Sequence, residues 1–210
     1  MHIIESAALE TGISELGLDL DSEAKKKLLA YLALLDKWNK VYNLTAIRNK
    51  GEMVSYHLLD SLSVLPYLWG GRWLDVGSGG GLPGIVLAIA KPDWNFTLLD
   101  SNTKKTSFLQ QAVIELGLKN VSVHSGRVED WVIERGFEGI ISRAFTELGD
   151  FIEITSHLLA PKGRWVAMKG WAGEELGTVS PGIQIERVVQ LSVPGINAKR
   201  SLVIAKVSEE

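Results

Sequence analysis

The chain contains no cysteine, few histidines and no long hydrophobic run. The absence of cysteine excludes disulfide bonds, thiolate metal sites and a thiol nucleophile. The four histidines are scattered, so no metal site is predicted. No apolar run reaches the ~20 residues that a membrane span requires, and the start, MHIIESAALE, lacks the basic and apolar regions of a secretory signal. We therefore expect a cytoplasmic protein with no membrane segment.

Basic residues are not in excess either. The chain has 22 lysines and arginines against 25 acidic residues, which gives a formal net charge of −3. Proteins that bind nucleic acids without selectivity are usually basic overall, so the composition does not favour that class. A local basic patch would still be able to contact RNA phosphates. The net charge therefore leaves the partner open.

The first third of the chain has helical periodicity. After Asp21 and Ser22, which form a capping pair, apolar residues recur at spacings of three and four, and a second helix is predicted over 52–65, before Pro66. The apolar stripe consists of Leu28, Leu32, Leu35, Trp38 and Tyr42. With 210 residues, 46% of them hydrophobic, the chain is long enough for one large domain with an appendage. We predict a helical extension at residues 1–70, packed on a domain at residues 71–210.

From residue 72 onward, predicted strands and helices alternate. This alternation is typical of a Rossmann-like, doubly wound α/β fold with a mostly parallel, seven-stranded sheet. The hairpin-like tail predicts an antiparallel strand at the end, and the segment APKG is predicted as a turn before the fifth strand. The predicted strands are 72–77, 95–100, 121–124, 137–144, 163–170, 183–193 and 201–207, and the predicted helices are 82–90, 103–116 and 147–159.

Residues 77–84 hold five glycines at the first strand-to-helix turn, in the stretch WLDVGSGGGLPGIVLAIA. Glycine admits positive φ and lets a ligand approach the main chain, as dinucleotides and S-adenosylmethionine do at such turns. Counting from Gly77 through Gly79, Leu82 stands where a dinucleotide fingerprint requires its third glycine. Asp75, just before the loop, would crowd a pyrophosphate but would help to hold an ammonium group. These features favour S-adenosylmethionine over a dinucleotide.

Two further regions point to an adenosine-containing ligand. Asp100 ends the second strand, where a carboxylate can accept hydrogen bonds from both ribose hydroxyls. The alternative is that Asp100 only caps the following helix. After the third strand, Val128 can pack on adenine while Glu129 or Asp130 accepts from its amine. Acidic residues that complement a helix dipole are an equally good explanation there.

Between about residues 21 and 205 the chain carries, in this order, the motifs WNKVYNLTAIR, HLLDSL, LDVGSGGGLPGI, FTLLDS, RVED, ISRAF and MKG. This series resembles the bacterial ribosomal RNA small subunit methyltransferase G family, also called glucose-inhibited division protein B. The resemblance implies a class I methyltransferase that transfers the methyl group of S-adenosylmethionine to N7 of one guanine in the 530 loop of 16S rRNA. It implies 16S rRNA or the small ribosomal subunit as partner, and a monomer is expected. The positions that match its cofactor-binding residues are Gly77, Leu82, Val128, Glu129 and Arg143.

The chemistry expected from the residues agrees with N7 of guanine. Methylation of pyrimidine C5 requires a cysteine, which the chain lacks. Enzymes that methylate the adenine amine commonly carry an (Asn/Asp)-Pro-Pro-aromatic turn after the fourth strand, where this chain reads SRAF. N7 has a lone pair and no proton, so no general base is required. The residues identify no general base; the candidate catalytic residues are Arg143 and Lys169, at the ends of the fourth and fifth strands, and a solvated surface side chain is the alternative for each.

Several polar residues of the first third and of the loops remain open in role. His57 and Asp60 lie one helical turn apart and so share a face of the helix. The spacing is compatible with an acid–base pair, but a buried polar contact with the sheet is the better explanation. Trp38 and Tyr42 are expected in the core rather than stacked on RNA bases. Ordinary solvated charge is the alternative for every candidate RNA contact. These candidates are Arg48, Lys50, Lys104, Lys105, Lys169, Lys199 and Arg200.

Three other functions remain compatible with the residues. A methyltransferase of another RNA or of a small molecule would use the same fold. A nicotinamide-dependent oxidoreductase would too, although Asp75 and the offset glycine spacing disfavour it. A non-enzymatic sensor of an adenosine ligand would bind the cofactor without transferring its methyl group.

Overall fold

The structure is a computed structural model, and it describes residues 2–170 and 179–208. The N-terminal part is helical. Asp21 caps the long second helix by accepting a hydrogen bond from the Ala24 N–H, as its position before the apolar stripe predicts. The helical elements before the sheet are α1 (His2–Glu15), α2 (Ser22–Tyr42), α3 (Lys50–Met53), a π-helical stretch (Val54–Leu59), α4 (Asp60–Leu62) and a 3-10 turn (Leu65–Tyr67).

The described residues after this part form one seven-stranded sheet with the order β3-β2-β1-β4-β5-β7-β6. Strand β7 is antiparallel to both of its neighbours, and the other pairs are parallel, which confirms the predicted doubly wound sheet with an antiparallel strand near its end. The strands are β1 (Arg72–Val76), β2 (Asn95–Asp100), β3 (Val121–Ser125), β4 (Phe137–Arg143), β5 (Leu159–Lys169), β6 (Ile183–Leu191) and β7 (Arg200–Val207).

Helices cover the sheet and close its core. Helix α5 is apolar along its whole length and is buried throughout. Large aromatic side chains fill the space beneath the helices, among them Trp73, Phe96 and Phe108, each at most 1% exposed. The helices of this part are α5 (Gly84–Ala90), α6 (Thr103–Glu115) and α7 (Leu148–Thr155), followed by a 3-10 turn (Ser156–Leu158).

The apolar stripe of α2 packs on this core, with one exception. Leu28, Leu32 and Leu35 are buried, and Trp38 packs against Phe108 with ring centroids 5.6 Å apart. Tyr42 is 40% exposed, so its predicted place in the core is wrong. It stands in the last turn of α2, where the chain leaves the helix through Asn43 in a left-handed conformation. The division at residue 70 stays a prediction.

Three local predictions differ from the structure. The periodicity predicted a helical first third of the chain but did not predict α1 as a separate helix. Helix α5 begins at Gly84, two residues later than predicted, because the glycine-rich turn continues through Pro83. The segment APKG belongs to β5 rather than to a turn before it, with Lys162 at φ 65° and a register shift between Phe137 and Gly139 of the paired strand. None of the helices in the described ranges has the length and apolar character that a membrane crossing requires.

Candidate active site

The loop between β1 and α5 turns on three glycines with positive φ, Gly77 (68°), Gly79 (57°) and Gly81 (88°). At Gly77 a side chain would also collide, because an added Cβ would run into the ring of Phe145. The loop is held from behind by the Tyr31 hydroxyl of α2, which donates to the Gly80 carbonyl at 2.6 Å. A main-chain surface without side chains therefore faces outward at the carboxyl end of β1.

Asp100 anchors this loop to the end of β2. Its Oδ2 accepts from the Gly79 N–H and its Oδ1 from the Asn102 N–H, each at 2.9 Å. The cap of α6 is Asn102, whose Oδ1 accepts from the Lys104 and Lys105 N–H groups. The structure therefore does not support the alternative in which Asp100 only caps that helix.

A cleft of about 670 Å³, which we call the glycine-loop cleft, opens between the carboxyl ends of β1, β2, β3 and β4. Four of the predicted cofactor residues line it: Gly77, Asp100, Val128 and Glu129. The other lining residues are Leu99, Ser101, Lys105, Gly126, Arg127, Ala144 and Phe145. The remaining predicted cofactor residues, Asp75, Gly79, Leu82 and Arg143, are not among the residues that line this cleft.

Asp75 lies fully buried under the glycine loop. Its Oδ2 accepts from the Gly84 N–H at 2.9 Å, while its Oδ1 has no hydrogen-bond partner within residues 2–170 and 179–208. Burial raises the Asp75 pKa to about 7, against the Gly84 hydrogen bond, the nearby Ser78 hydroxyl and the charge of Arg143, which lower it. The residue therefore holds an unsatisfied acceptor directly behind the main-chain surface.

A second cleft, the arginine cleft, has a volume of about 490 Å³ and shares Ala144 with the first. Ala144 follows β4 with φ 52°, a strained value for a residue with a side chain. The arginine cleft lies between the helical part and the β4, β5 and β7 strands. It is lined by Thr45, Ala46, Ile47, Tyr56, His57, Asp60, Arg143, Ala144, Met168, Lys169, Gly170, Leu191, Arg200 and Ser201.

An ion triad forms one wall of the arginine cleft. Asp60 accepts from Arg143 Nη1 through Oδ2 at 3.1 Å and from Arg200 Nε through Oδ1 at 3.0 Å. The same Arg143 nitrogen donates to the Tyr56 carbonyl at 3.0 Å. Asp60 is thus the polar contact between helix and sheet that its spacing from His57 predicts.

His57 is buried beside the triad and makes no hydrogen bond to Asp60. Its Nε2 lies 3.0 Å from the Thr45 hydroxyl oxygen. Burial, together with the charge of Arg143, lowers the His57 pKa to about 4, against the Tyr56 backbone, which raises it. The imidazole is therefore neutral near pH 7, and an acid–base pair with Asp60 is not what the structure contains.

The candidate RNA contacts fall into three groups. Lys169 and Arg200 line the arginine cleft, and Lys105 lines the glycine-loop cleft. Lys104 and Lys199 are exposed near these two clefts, on α6 and before β7. Arg48 and Lys50 line neither cleft. Arg48 donates a hydrogen bond to Asn43, and Lys50 forms an ion pair with Asp36 at 2.9 Å.

The sequence reasoning missed three site residues. Tyr31 lies on the α2 stripe, three residues after Leu28 and four before Leu35, so its burial was foreseeable but its bond to the loop was not. Phe145 stands in the SRAF motif and lines the glycine-loop cleft. Thr45 lies in the YNLT segment, and only the fold brings it to His57.

Comparison with known proteins agrees with this architecture. A family model described as rRNA small subunit methyltransferase G matches residues 24–203. The ribosomal RNA small subunit methyltransferase G of Laribacter hongkongensis is 54% identical over 196 residues, 93% of this chain and 95% of its own. That of Chromobacterium violaceum is 53% identical over 202 residues, 95% and 97% of the two chains.

Solved structures share the fold at low sequence identity. The glycopeptide N-methyltransferase MtfA complexed with S-adenosyl-L-methionine has a TM-score of 0.62 and 10% identity, over 73% of this chain and 88% of its own. TrmN from Thermus thermophilus has a TM-score of 0.54 and 15% identity, over 70% and 48%. These likenesses establish the class I methyltransferase fold. With more than half of its sequence identical to these curated relatives over nearly its whole length, the chain belongs to the rRNA small subunit methyltransferase G family.

Proposed function

We propose that this protein transfers the methyl group of S-adenosylmethionine to N7 of a guanine in the 530 loop of 16S rRNA. The observation that carries the proposal is the meeting of two different clefts at Ala144. One cleft offers main chain and a carboxylate, which suit an adenosine. The other offers cations, which suit a polyanion. An enzyme that transfers a methyl group from a nucleoside donor to an RNA acceptor needs a donor site and an acceptor site that adjoin each other.

The residues of the glycine-loop cleft fit the cofactor. S-adenosylmethionine supplies a transferable methyl group on a sulfonium, together with an ammonium, a carboxylate and an adenosine. The orphaned Asp75 Oδ1 is an acceptor for an ammonium, and Gly77, which lines the cleft beside the Phe145 ring, would present its main chain to the cofactor. Each Asp100 oxygen has accepted one backbone N–H and retains a lone pair for a ribose hydroxyl. Buried Val128 and exposed Glu129 would take the adenine face and amine.

The acceptor chemistry needs positioning rather than a base. Guanine N7 carries a lone pair and no proton, so nothing has to be abstracted before the transfer. His57 is the only histidine of the arginine cleft, and its lowered pKa makes it a weak base. Among the described residues, three cations, Arg143, Lys169 and Arg200, and one carboxylate, Asp60, line this cleft. The side chains of Lys169 and Arg200 would therefore act by holding RNA in line with the donor.

The proposal has finer parts. The partner would be 16S rRNA or the small ribosomal subunit, and the enzyme would act as a cytoplasmic monomer without a metal ion. The helical extension at residues 1–70 and the methyltransferase domain at 71–210 would both contribute to the site, through Tyr31 and Asp60 on one side and the strand ends on the other. Asp75, Gly79, Leu82 and Arg143 would support the cofactor from within and beside the loop.

The test is direct. The protein is incubated with tritiated S-adenosylmethionine and small subunits or 16S rRNA from a strain that lacks the enzyme, and label is mapped by borohydride and aniline cleavage at 7-methylguanine. We expect cleavage at one guanine of the 530 loop, and no label on subunits from the parent strain, in which the enzyme has already methylated this guanine. Label at another RNA position, label only in a small molecule, or tight binding of NAD in place of S-adenosylhomocysteine would contradict the proposal.

A further inference from the structure

We propose that Arg200 binds a backbone phosphate of the acceptor RNA, and that Asp60 is the positioning residue that holds Arg200 in place for it. This inference rests on the proposed function, because it assumes that RNA enters the arginine cleft. It assigns the two arginines of the triad to different ligands. Arg143 serves the side of the glycine loop, and Arg200 serves the RNA.

The triad is built to fix two guanidinium groups and leave them accessible. The Asp60 side chain is 5% exposed, whereas those of Arg143 and Arg200 are 22% and 24% exposed. Each Asp60 oxygen holds a different arginine. The Asp60 carboxylate is therefore paired on both oxygens and inaccessible to solvent. Both guanidinium groups reach the surface of the cleft, and each is fixed on one side by its bond to Asp60.

Arg200 retains hydrogen-bond donors after these contacts. A guanidinium has five N–H donors in a fixed fork. Nε donates to Asp60 and Nη1 to the Lys199 carbonyl. Nη2 has no acceptor within residues 2–170 and 179–208. The open donors face the arginine cleft, and an arginine fork with free N–H groups suits the two oxygens of a phosphate.

The strand order separates the roles of the two arginines. Arg143 ends β4, the direct neighbour of β1 and of the glycine loop. Arg200 begins β7, which two further strands, β4 and β5, separate from β1. A cofactor carboxylate in the glycine-loop cleft would therefore lie closer to β4 and Arg143 than to β7 and Arg200. The anion that binds Arg200 would then come from the acceptor RNA.

The anion is a phosphate rather than the edge of the base. An arginine fork that recognises guanine usually takes O6 and N7 together. N7 must remain open to accept the methyl group, so that pairing would block the reaction. A phosphate accepts two N–H groups from arginine and leaves the base free to turn toward Ala144.

The π-helical stretch supplies the geometry for Asp60. It ends at Leu59, and the N–H of the next residue, Asp60, donates to the Ser55 carbonyl in the five-residue pattern of a π turn. Such wide turns are inserted in α-helices mostly at functional sites. Here the wide turn immediately precedes Asp60, the carboxylate that the described residues contribute to the arginine cleft.

The experiment compares Arg200→Gln with Arg135→Gln in the full-length protein. Arg135 is 74% exposed and precedes β4, at the opposite end of the sheet. In Arg200→Gln, Asp60 keeps its partner Arg143, so no buried charge is orphaned. Steady-state methylation of small subunits is measured at several salt concentrations, and affinity for S-adenosylhomocysteine is measured by calorimetry.

We expect KM for the subunit to rise about tenfold in Arg200→Gln, with kcat and cofactor affinity changed less than about threefold. The slope of log(1/KM) against log salt is negative, and it should become less steep by about 0.7 to 0.9, which corresponds to the loss of one phosphate contact. Arg200→Lys, which keeps the charge, should recover part of the affinity. Arg135→Gln should match the wild type.

Asp60→Asn tests the positioning role. If it folds, its KM and salt slope should change as in Arg200→Gln, and the double variant should be no worse in KM than Asp60→Asn alone. A loss of thermal stability with unchanged KM and slope would reduce Asp60 to a structural residue and overturn that part.

Two outcomes separate this inference from the proposed function. If the wild type does not methylate N7, the proposed function fails. If the wild type methylates N7 but Arg200→Gln has the KM and salt slope of Arg135→Gln, the phosphate assignment is overturned. An equal loss of affinity for S-adenosylhomocysteine in Arg200→Gln would overturn it as well, because Arg200 would then serve the cofactor carboxylate.

Discussion

Asp75 lies beneath the glycine loop and Asp60 lies in the wall of the arginine cleft; both are buried, at 0% and 3% exposed, yet their hydrogen-bond partners differ. Asp60 is held by two guanidinium groups, one on each oxygen. Asp75 has one backbone N–H on Oδ2 and no hydrogen-bond partner on Oδ1 among the described residues. Burial alone therefore does not determine what a carboxylate does.

The difference has a functional meaning. Asp60 completes its electrostatics inside the protein, so it organises other residues. Asp75 keeps one oxygen without a partner among the described residues, and burial is the main cause of its raised pKa. An acceptor left in that state is suited to a ligand that brings its own positive charge. The predictions below sharpen or break this contrast.

The largest effect is expected from Asp75→Asn in the pH dependence of stability. Burial raises the Asp75 pKa from 3.8 to about 7, so between these values the folded protein keeps a proton that the unfolded chain has released. Stability of the wild type relative to the variant therefore falls as pH rises through this window, by up to about 4 kcal/mol, and is constant above it. Urea unfolding of the cofactor-free proteins from pH 4.5 to 8 measures this difference.

The matched control is Asp93→Asn, at an exposed aspartate. Its unfolding free energy should follow that of the wild type across the whole pH range. Parallel profiles for Asp75→Asn and the wild type would mean that Asp75 is ionised at no cost, and the contrast with Asp60 would be lost.

Asp60→Asn should lower the free energy of unfolding by about 3 kcal/mol at pH 7.5. The substitution leaves two partly buried guanidinium groups, those of Arg143 and Arg200, without their shared counter-charge. Urea denaturation monitors the loss. Asp36→Asn, which breaks an ion pair with a 41% exposed lysine side chain, should cost less than about 1 kcal/mol. Equal losses in the two variants would show that the triad is no stronger than a surface pair.

Gly77→Ala should weaken binding of S-adenosylhomocysteine by at least about 30-fold, or 2 kcal/mol. An alanine at φ 68° is strained, and its Cβ would enter the cleft against Phe145. Calorimetry gives the affinity. Gly117→Ala has a similar φ of 61° but open space around the added Cβ, so it carries the strain without the collision. Cofactor affinity in Gly77→Ala as high as in Gly117→Ala would remove the steric argument for a bare main chain.

The smallest effect is expected from Tyr31→Phe. The buried hydroxyl donates to the Gly80 carbonyl, and its loss leaves that carbonyl without a partner, at a cost of about 1 kcal/mol. Burial, the main cause, raises the pKa of Tyr31 well above its usual range, so the hydroxyl remains a donor throughout the working pH range. Thermal unfolding and cofactor calorimetry measure the change. The control is Tyr42→Phe, at a half-exposed tyrosine. An effect of the same size in the control would mean that the bond from Tyr31 to the glycine loop contributes nothing specific.

Local patterns were sufficient to predict most of the fold. The spacing of Leu28, Leu32 and Leu35 gave α2, and the alternation of strand and helix gave the order of elements from residue 72 onward. The glycine loop and Asp100 were predictable as neighbours because the carboxyl ends of adjacent parallel strands meet at one edge.

Contacts over long separations were not predictable from pattern. Asp60 lies 83 residues before Arg143 and 140 before Arg200, and no periodicity connects them. The π-helical stretch has no signal in a sequence that reads as ordinary helix over 52–65. Tyr42 continues the apolar spacing of α2 but stands beyond the surface that the stripe covers, because the helix ends there.

The reversed direction of β7 brings the start of a strand, rather than its end, to the reactive edge of the sheet. Arg200 therefore reaches the carboxyl ends of β4 and β5 directly from a hairpin whose other arm, β6, is the outermost strand. A hairpin at the margin can change in length or composition without disturbing the inner parallel strands. Relatives can therefore differ in how this site contacts a large particle. We expect such sequence differences to be concentrated in residues 192–199.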